Sequence, residues 1–362
     1  MAIDHFLRNS ATSWMSNEGE HSDIVMSTRV RLARNLAEFR FPYAFTDEEA
    51  KKVDERVSAI LKEDREPPED FTHIDIQETP DLKRQILVEK HLISPLLAKG
   101  EHSGSVLLST NEELSVMINE EDHLRIQSLQ PGFRLQEAYE KADSLDTFLE
   151  KKLAYAFHET YGFLTSCPTN TGTGMRASVM VHLPALTMTR QIDRIIPAIS
   201  RLGMVARGSY GEGSEALGNV YQISNQTTLG MSEHEILQEL ENITLQLIEQ
   251  ERRARRAILE QSPSALEDRI YRSLGILTHA RLLSTEEAAK CLSDVRLGID
   301  LDLINDMDMS VLNELMIFMQ PAFLQHYAER PLQPNERDRA RAKLFRERLV
   351  NDHDKQEGED SA

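Results

Sequence analysis

Apolar residues recur with two different periods along this chain, and the change of period divides it. From residue 104 the runs SVLLST, LSVMIN and HLRIQSL alternate with polar punctuation, and NEE separates the first two as a turn would. That pattern predicts antiparallel strands. Short strand-like runs recur in STRVRLAR, RASVMVHLPAL, GMVARGSYGEG and GNVYQISNQ, with helical stretches between them. One such stretch, residues 140–162, stops at Gly162. From Ser232 the period lengthens to that of a helix and strand signals cease. Residues 232–261 form one amphipathic run opened by Ser232 and Glu235 at capping-box spacing, and Ser284 with Glu287 opens another. Breaks near Pro263, Pro321 and Pro334 predict further helices. The pattern implies an α+β catalytic region, an antiparallel sheet flanked by helices, over residues 1–255, and an all-α region over 256–352. A polar acidic tail, 353–362, reads as disordered.

Composition narrows the class. The 362 residues, 40% hydrophobic and 28% charged, suit a soluble globular protein, and no apolar run is long enough to span a membrane. The N-terminus lacks the basic start and apolar core of a secretory signal, so a cytoplasmic location is expected. A net charge of −19 disfavours direct nucleic-acid binding. The only two cysteines, Cys167 and Cys291, cannot build a disulfide framework or a multi-cysteine zinc site, and no metal-ligand set is expected.

Four segments carry candidate chemistry. In STRVRLAR, strand alternation puts Arg29 and Arg31 on one side, two forked cations suited to a polyphosphate or simply a solvated strand. In NEEDHLR, Glu120, Glu121, Asp122 and Arg125 end a strand, in a pattern that solvated turns share. In RGSYGEG, Arg207 and Glu212 flank glycines that permit either a mobile loop or a hairpin. In CPTNTGTGMRASV, Cys167 precedes a Gly/Thr turn whose small residues let backbone N–H groups approach an anion, and Arg176 enters a strand. Neither His158 nor His182 has a cysteine-hydrolase signature around it.

Taken in order, these four segments resemble the catalytic domain of the phosphagen (guanidino) kinases over roughly residues 24–254. The resemblance implies a glutamine-synthetase-like antiparallel sheet flanked by helices, binding Mg-ATP and a guanidine. It assigns nucleotide contacts to Ser27, Thr28, Arg29, Val30 and Arg31, to His91 in EKHLI, and to Arg125. It adds Arg176, Ala177, Ser178, Val179 and Met180, then Arg207, Gly208, Ser209, Tyr210 and Gly211. Glu121 and Glu212 match the carboxylates that grip the guanidinium, and Cys167 the cysteine beside it. Thr171 and Met180 depart from the aliphatic residue and the histidine usual in kinases of small metabolites. The chemistry fits: a guanidinium with a pKa above about 12 is a poor nucleophile until a proton is withdrawn. Two carboxylates orient it and accept that proton, while arginines and Mg²⁺ neutralise the transferring phosphoryl group.

Kinases of free arginine or creatine carry a helical domain before the STRVR segment, whereas 26 residues precede it here and a helical region follows. That arrangement resembles the protein-arginine-kinase branch, in which the substrate is an arginine side chain of a protein. A free-arginine kinase and a non-catalytic phosphoarginine-binding adaptor are the alternatives, and the intact Glu121, Cys167 and Glu212 oppose the latter. In NERDRARAK, Arg337, Asp338 and Arg341 resemble that branch's RDxxRA segment, which implies an allosteric phosphoarginine site. The branch further implies a zinc-binding activator protein, a Clp unfoldase-protease that receives marked proteins in the stress response, and a homodimer or higher homo-oligomer. ERRARR, 251–256, is expected on a solvated helix face, and the apolar stripe of MSVLNELMIFMQPAFLQHY in the core or a dimer contact rather than at a ligand.

Overall fold

The computed structural model describes residues 3–8, 12–63, 69–208 and 216–359, with backbone alone for 63 and 350–359. Among the described residues ten strands form in chain order: β1 (Val25–Arg34), β2 (Phe71–Asp75), β3 (Ser105–Ser109), β4 (Leu114–Ile118), β5 (Leu124–Pro131), β6 (Phe157–His158), β7 (Gly162–Phe163), β8 (Met175–His182), β9 (Met204–Gly208) and β10 (Val220–Asn225). Eight make one antiparallel sheet in the order β2-β3-β4-β5-β1-β8-β10-β9, and β6 pairs only with β7.

Alternation along the central strands decides which face does what. Val30 and Leu32 of β1, Ile126 of β5, and Ala177 and Val179 of β8 are buried in a core with the helices Asp47–Glu63, Leu135–Glu150 and Glu233–Gln261. Their neighbours at odd spacing, Arg29, Arg31, Arg176 and Met180, emerge on the opposite face. A second core joins Ile3, Phe6 and Trp14 and the helix Asp81–Glu89 to the C-terminal helices. Those helices are Pro263–His279, Thr285–Asp300, Met309–Phe318, Pro321–Tyr327 and Pro334–Glu359. None of the described helices is long and apolar enough to cross a membrane.

The helix starts follow their caps. Ser232 and Glu235 close a capping box, Ser284 accepts from the Glu287 N–H, and prolines open the helices at 263, 321 and 334.

Four expectations need correction. Residues 151–162 are not helical: the helix ends at Glu150 and the chain turns into the β6–β7 hairpin. Gly162, at φ +72°, lies so close to Gly172 that a Cβ would stand 2.5 Å from its carbonyl oxygen, a contact no local signal reports. ERRARR is not a solvated face. Glu251 is buried and accepts from the Ala185 and Leu186 N–H groups at 3.0 and 2.9 Å, and Arg255 bonds Glu251 and Asp300 at 2.9 and 3.2 Å. The helix carrying it runs on through 255/256 to Gln261, and the break between units falls at Ser262. The last helix continues to Glu359, into the stretch read as tail, where Glu, Lys and Gln favour helix.

Candidate active site

Register across the sheet arranges the arginines in rows. Arg31 faces Gln127 on one side and Arg176 on the other; Arg29 faces Leu129 and Ser178; Ser27 faces Met180, which faces Gln222 and then Arg207 at the sheet edge. A cleft of about 480 Å³ lies over these rows and is lined by Arg29, Arg31, Arg176, Arg207, His91 and Met180 among others. The Nε groups of Arg29 and Arg31 are buried without a protein partner. Burial, with Arg125 and Arg176 nearby, pushes Arg29 down to about 10, and burial followed by Arg29, Arg125 and Arg176 drives Arg31 well below the usual guanidinium range. Arg176 is lowered by burial and then by Arg207 and Arg125. A crowd of cations held before any anion arrives is the arrangement that a polyphosphate site requires. His91 stands edge-on to Trp14 at 5.4 Å, and burial with Arg29 pushes it down to about 4, so its ring is neutral at pH 7.

At the end of β5 the site changes sign. Arg125 donates through Nη1 to Glu120 at 2.7 Å and through Nη2 to Glu121 Oε2 at 2.9 Å. Ser94 Oγ also donates to Glu120, at 2.6 Å, so Glu120 is a clamp on Arg125. Glu121 holds Arg125 through Oε2, and its other oxygen accepts no hydrogen bond among the described residues. Asp122, fully buried, accepts from Asn35 Nδ2 and from the Ser166 N–H, each at 2.6 Å, and thereby ties the acidic turn to the residue before Cys167.

Cys167 is half-buried at the start of a single 3₁₀ turn, Pro168–Asn170, with Sγ 3.0 Å from Thr169 Oγ1. Thr165 Oγ1 donates to its carbonyl at 2.8 Å, and Thr228 Oγ1 donates to Thr169 and Thr171 at 3.0 and 2.7 Å. The glycines here serve packing rather than anion approach: a Cβ on Gly172 would meet Thr228 O at 2.6 Å, and one on Gly174 would meet Ala33 O at 2.6 Å. Cys167 and Glu121 both act electrostatically on Arg176, which joins the carboxylate and thiol end to the arginine rows.

Not every residue assigned from sequence faces the cleft. Val30, Ala177 and Val179 point into the opposite core, and Thr28 is buried with Oγ1 donating to Gly132 O at 2.7 Å. Ser209, Tyr210, Gly211 and Glu212 lie outside the described residues; Arg207 and Gly208 lead into that segment from β9. Arg337, Asp338 and Arg341 lie on the last helix and are not among the residues that line the cleft. Arg341 is buried and spends its guanidinium on Met319 O at 2.9 Å, Leu283 O at 2.7 Å and Asp338 Oδ1 at 2.8 Å. That leaves Arg337 and Asp338 as the partly accessible pair.

Three residues given no role from sequence also shape the site. Asp122 is one. Arg34 bonds Asp146 through Nε and Nη2 at 3.0 and 2.6 Å and lies 3.6 Å from the centre of the Phe163 ring, fixing the hairpin before Cys167. Tyr43, 77% exposed, stands close enough to Glu121 and Cys167 for their charge to raise its hydroxyl pKa.

Arginines from four strands, meeting a carboxylate and a thiol at one end of a cleft, are the parts needed to pass a phosphoryl group to a guanidine. Comparison with known proteins gives the same class. Residues 52–254 match the model of the ATP:guanido phosphotransferase C-terminal catalytic domain. Among solved structures the chain is similar to lombricine kinase, with 25% identity and a TM-score of 0.57 over 68% of this chain and 70% of that one. It is also similar to the duplicated taurocyamine kinase from Schistosoma mansoni with bound transition-state-analogue components, with 27% identity and a TM-score of 0.59 over 73% of this chain and 38% of that one. Residues 263–360 match the model of the protein-arginine kinase McsB C-terminal domain. The protein-arginine kinases of Bacillus pumilus and Bacillus subtilis are each 55% identical over 350 residues, 96% of either chain. The chain belongs to the protein-arginine kinase family of guanidino phosphotransferases.

Proposed function

We propose that this protein transfers the γ-phosphoryl group of Mg-ATP to a guanidino nitrogen of arginine side chains in proteins. The observation that carries the reading is the sign change at Arg125, which belongs to the cation rows yet is gripped by Glu120 and Glu121. A polyphosphate laid over Arg29, Arg31, Arg176 and Arg207 has its terminal group directed at that boundary. A guanidinium placed there meets the remaining oxygen of Glu121 and the Cys167 thiol, with Glu212 assigned to its other side by family resemblance. The carboxylates orient the planar group and take the proton its nitrogen gives up as the N–P bond forms. The orphaned Nε groups of Arg29 and Arg31 fit a nucleotide's phosphates. Mg²⁺ would ride on those phosphates, because the nearest carboxylates already hold Arg125.

The same reading places the enzyme in the cytoplasm, marking proteins in the stress response for a Clp unfoldase-protease, with a zinc-binding activator and a homo-oligomeric state. It also makes Arg337 and Asp338 an allosteric phosphoarginine site, supported by a cation and an acid one residue apart on a helix surface; Arg341 then supports the site from beneath. Family resemblance alone supports the partners.

Incubating the protein with Mg-ATP and an arginine-rich unfolded polypeptide, and mapping acid-labile phosphate by mass spectrometry at neutral pH, tests the reaction. Phosphoarginine that disappears in Glu212→Gln is expected. Phosphate only on hydroxyl side chains, or turnover only with free arginine, rejects the reading.

A further inference from the structure

The nucleotide cleft is not walled by the catalytic unit alone. Met316, Ile317 and Gln320, from the helix Met309–Phe318 and the residues after it, line it together with β-sheet residues. These residues come from the apolar stripe that sequence patterning assigns to the core or a dimer contact rather than to a ligand.

The sheet rows give the cleft a direction. Glu121 precedes β5 and Cys167 precedes β8, so the phosphoryl-transfer end lies at the row of Arg31 and Arg176. Four residues further along β1, about 13 Å at roughly 3.3 Å per residue, stands Ser27 opposite Met180. One step beyond, Val220 faces His182. Met316 sits at that far end, since it lines both the cleft and a small adjoining cavity beside His182 and Val220. If the phosphates lie on the arginine rows, the base reaches this end. Its lining there suits a flat heteroaromatic ring: thioethers of Met180 and Met316, the Ile317 side chain, the indole of Trp14 and the neutral ring of His91.

The wall is held in place from several sides. Glu89, itself lining the cleft, accepts from the Ala322 and Phe323 N–H groups at 2.8 and 3.0 Å, Asn313 Nδ2 donates to Met15 O at 2.7 Å, and Arg341 Nε donates to Met319 O at 2.9 Å. The segment also lies beyond residue 254, where the match to the general phosphotransferase model ends.

We propose that Met316 and Ile317 of the C-terminal helical unit contact the nucleotide base and contribute to nucleotide affinity, an inference that rests on the cleft being the ATP site. Calorimetric titration of the full-length protein with Mg-ATP and, separately, with magnesium tripolyphosphate tests it. Met316→Ala weakens Mg-ATP about five- to tenfold while tripolyphosphate changes by less than about twofold, and Met316→Leu restores most of the loss. Ile317→Ala gives the same one-sided loss. A loss shared equally by both ligands, or none for either, overturns the proposal. Arg29→Ala serves as the separate check on the cleft: it weakens both ligands, and unchanged tripolyphosphate binding there would reject the ATP site itself.

Discussion

Replacing Glu121 by glutamine separates the two halves of the site. The substitution preserves size and removes one negative charge. In the structure Glu121 makes one charge-assisted hydrogen bond, from Arg125 Nη2 at 2.9 Å, whereas Arg125 keeps Glu120 at 2.7 Å through its other nitrogen. Ser94 holds Glu120 independently, at 2.6 Å. Arg125 therefore stays near its position and the phosphate side of the cleft survives. The incoming guanidinium instead loses a charged acceptor at the reacting end. Truncating one partner of a hydrogen-bonded charge pair costs about 2–5 kcal/mol, which is about 30- to 5,000-fold in kcat/KM. The assay is initial-rate phosphorylation of an arginine-containing polypeptide, paired with the Kd for Mg-ATP measured without that substrate. The expected result is a fall in kcat/KM within that range with Kd changed by less than about threefold, because the lost carboxylate competed with phosphate for Arg125. A fall below about tenfold, or a parallel loss of Mg-ATP affinity, would show that Glu121 is only a counter-ion of Arg125.

Cys167→Ser lowers kcat at least about tenfold while the fold holds, since the turn around it is fixed by backbone bonds from Thr165 and Thr228; rates and circular dichroism of the variant check both halves. Arg34→Met leaves Asp146 buried and unpaired, costing about 3–5 kcal/mol by urea unfolding at pH 7, with the loss easing as acid protonates Asp146, whose pKa burial already raises. Burial pushes Glu89 up to about 7 from 4.5, so between those pH values the folded state binds more protons than the unfolded one and stability falls as pH rises. Glu89→Gln removes that slope in denaturation curves taken across the window. Arg341→Ala destabilises by about 3 kcal/mol because two buried carbonyls and the partly exposed Asp338 lose a charged donor, whereas Arg337→Ala changes stability by less than about 0.5 kcal/mol; unfolding curves of the pair separate scaffold from ligand contact.

What the sequence made legible was whatever a residue and its near neighbours decide. Alternation in STRVRLAR placed Arg29 and Arg31 on one face, and Ser232, Ser284 and three prolines marked helix starts. The failures share a cause. Residues 151–162 look helical in isolation, but Arg34 over Phe163 and the Gly162–Gly172 contact hold them as a hairpin. ERRARR has the composition of a wet surface, yet Glu251 and Arg255 answer buried N–H groups and an acid from other elements. Met316 sits within an ordinary apolar stripe, and only the packing of the C-terminal unit brings it to the cleft. Each of these depends on a partner distant in sequence.

The distribution of charge explains why the site is built from so many separate segments. Arginines crowded on a sheet face repel one another, and burying them costs more, as the lowered pKa values of Arg29, Arg31 and Arg176 record. Local pairing would relieve that cost but would occupy the donors a phosphate needs. The structure pairs only the boundary: of the arginines on β1, β5 and β8 that face the cleft, Arg125 alone has carboxylate partners among the described residues. The unrelieved repulsion must then be borne by the surrounding framework, where buried pairs such as Arg34–Asp146 and Lys90–Glu112 tie a helix and a loop to the sheet. In the proposed reaction, binding of a polyphosphate releases the strain on one side of Arg125, and binding of a guanidinium satisfies the spare oxygen on the other. The two substrates thus neutralise opposite halves of one charge distribution, and the phosphoryl group crosses at the residue that both halves share.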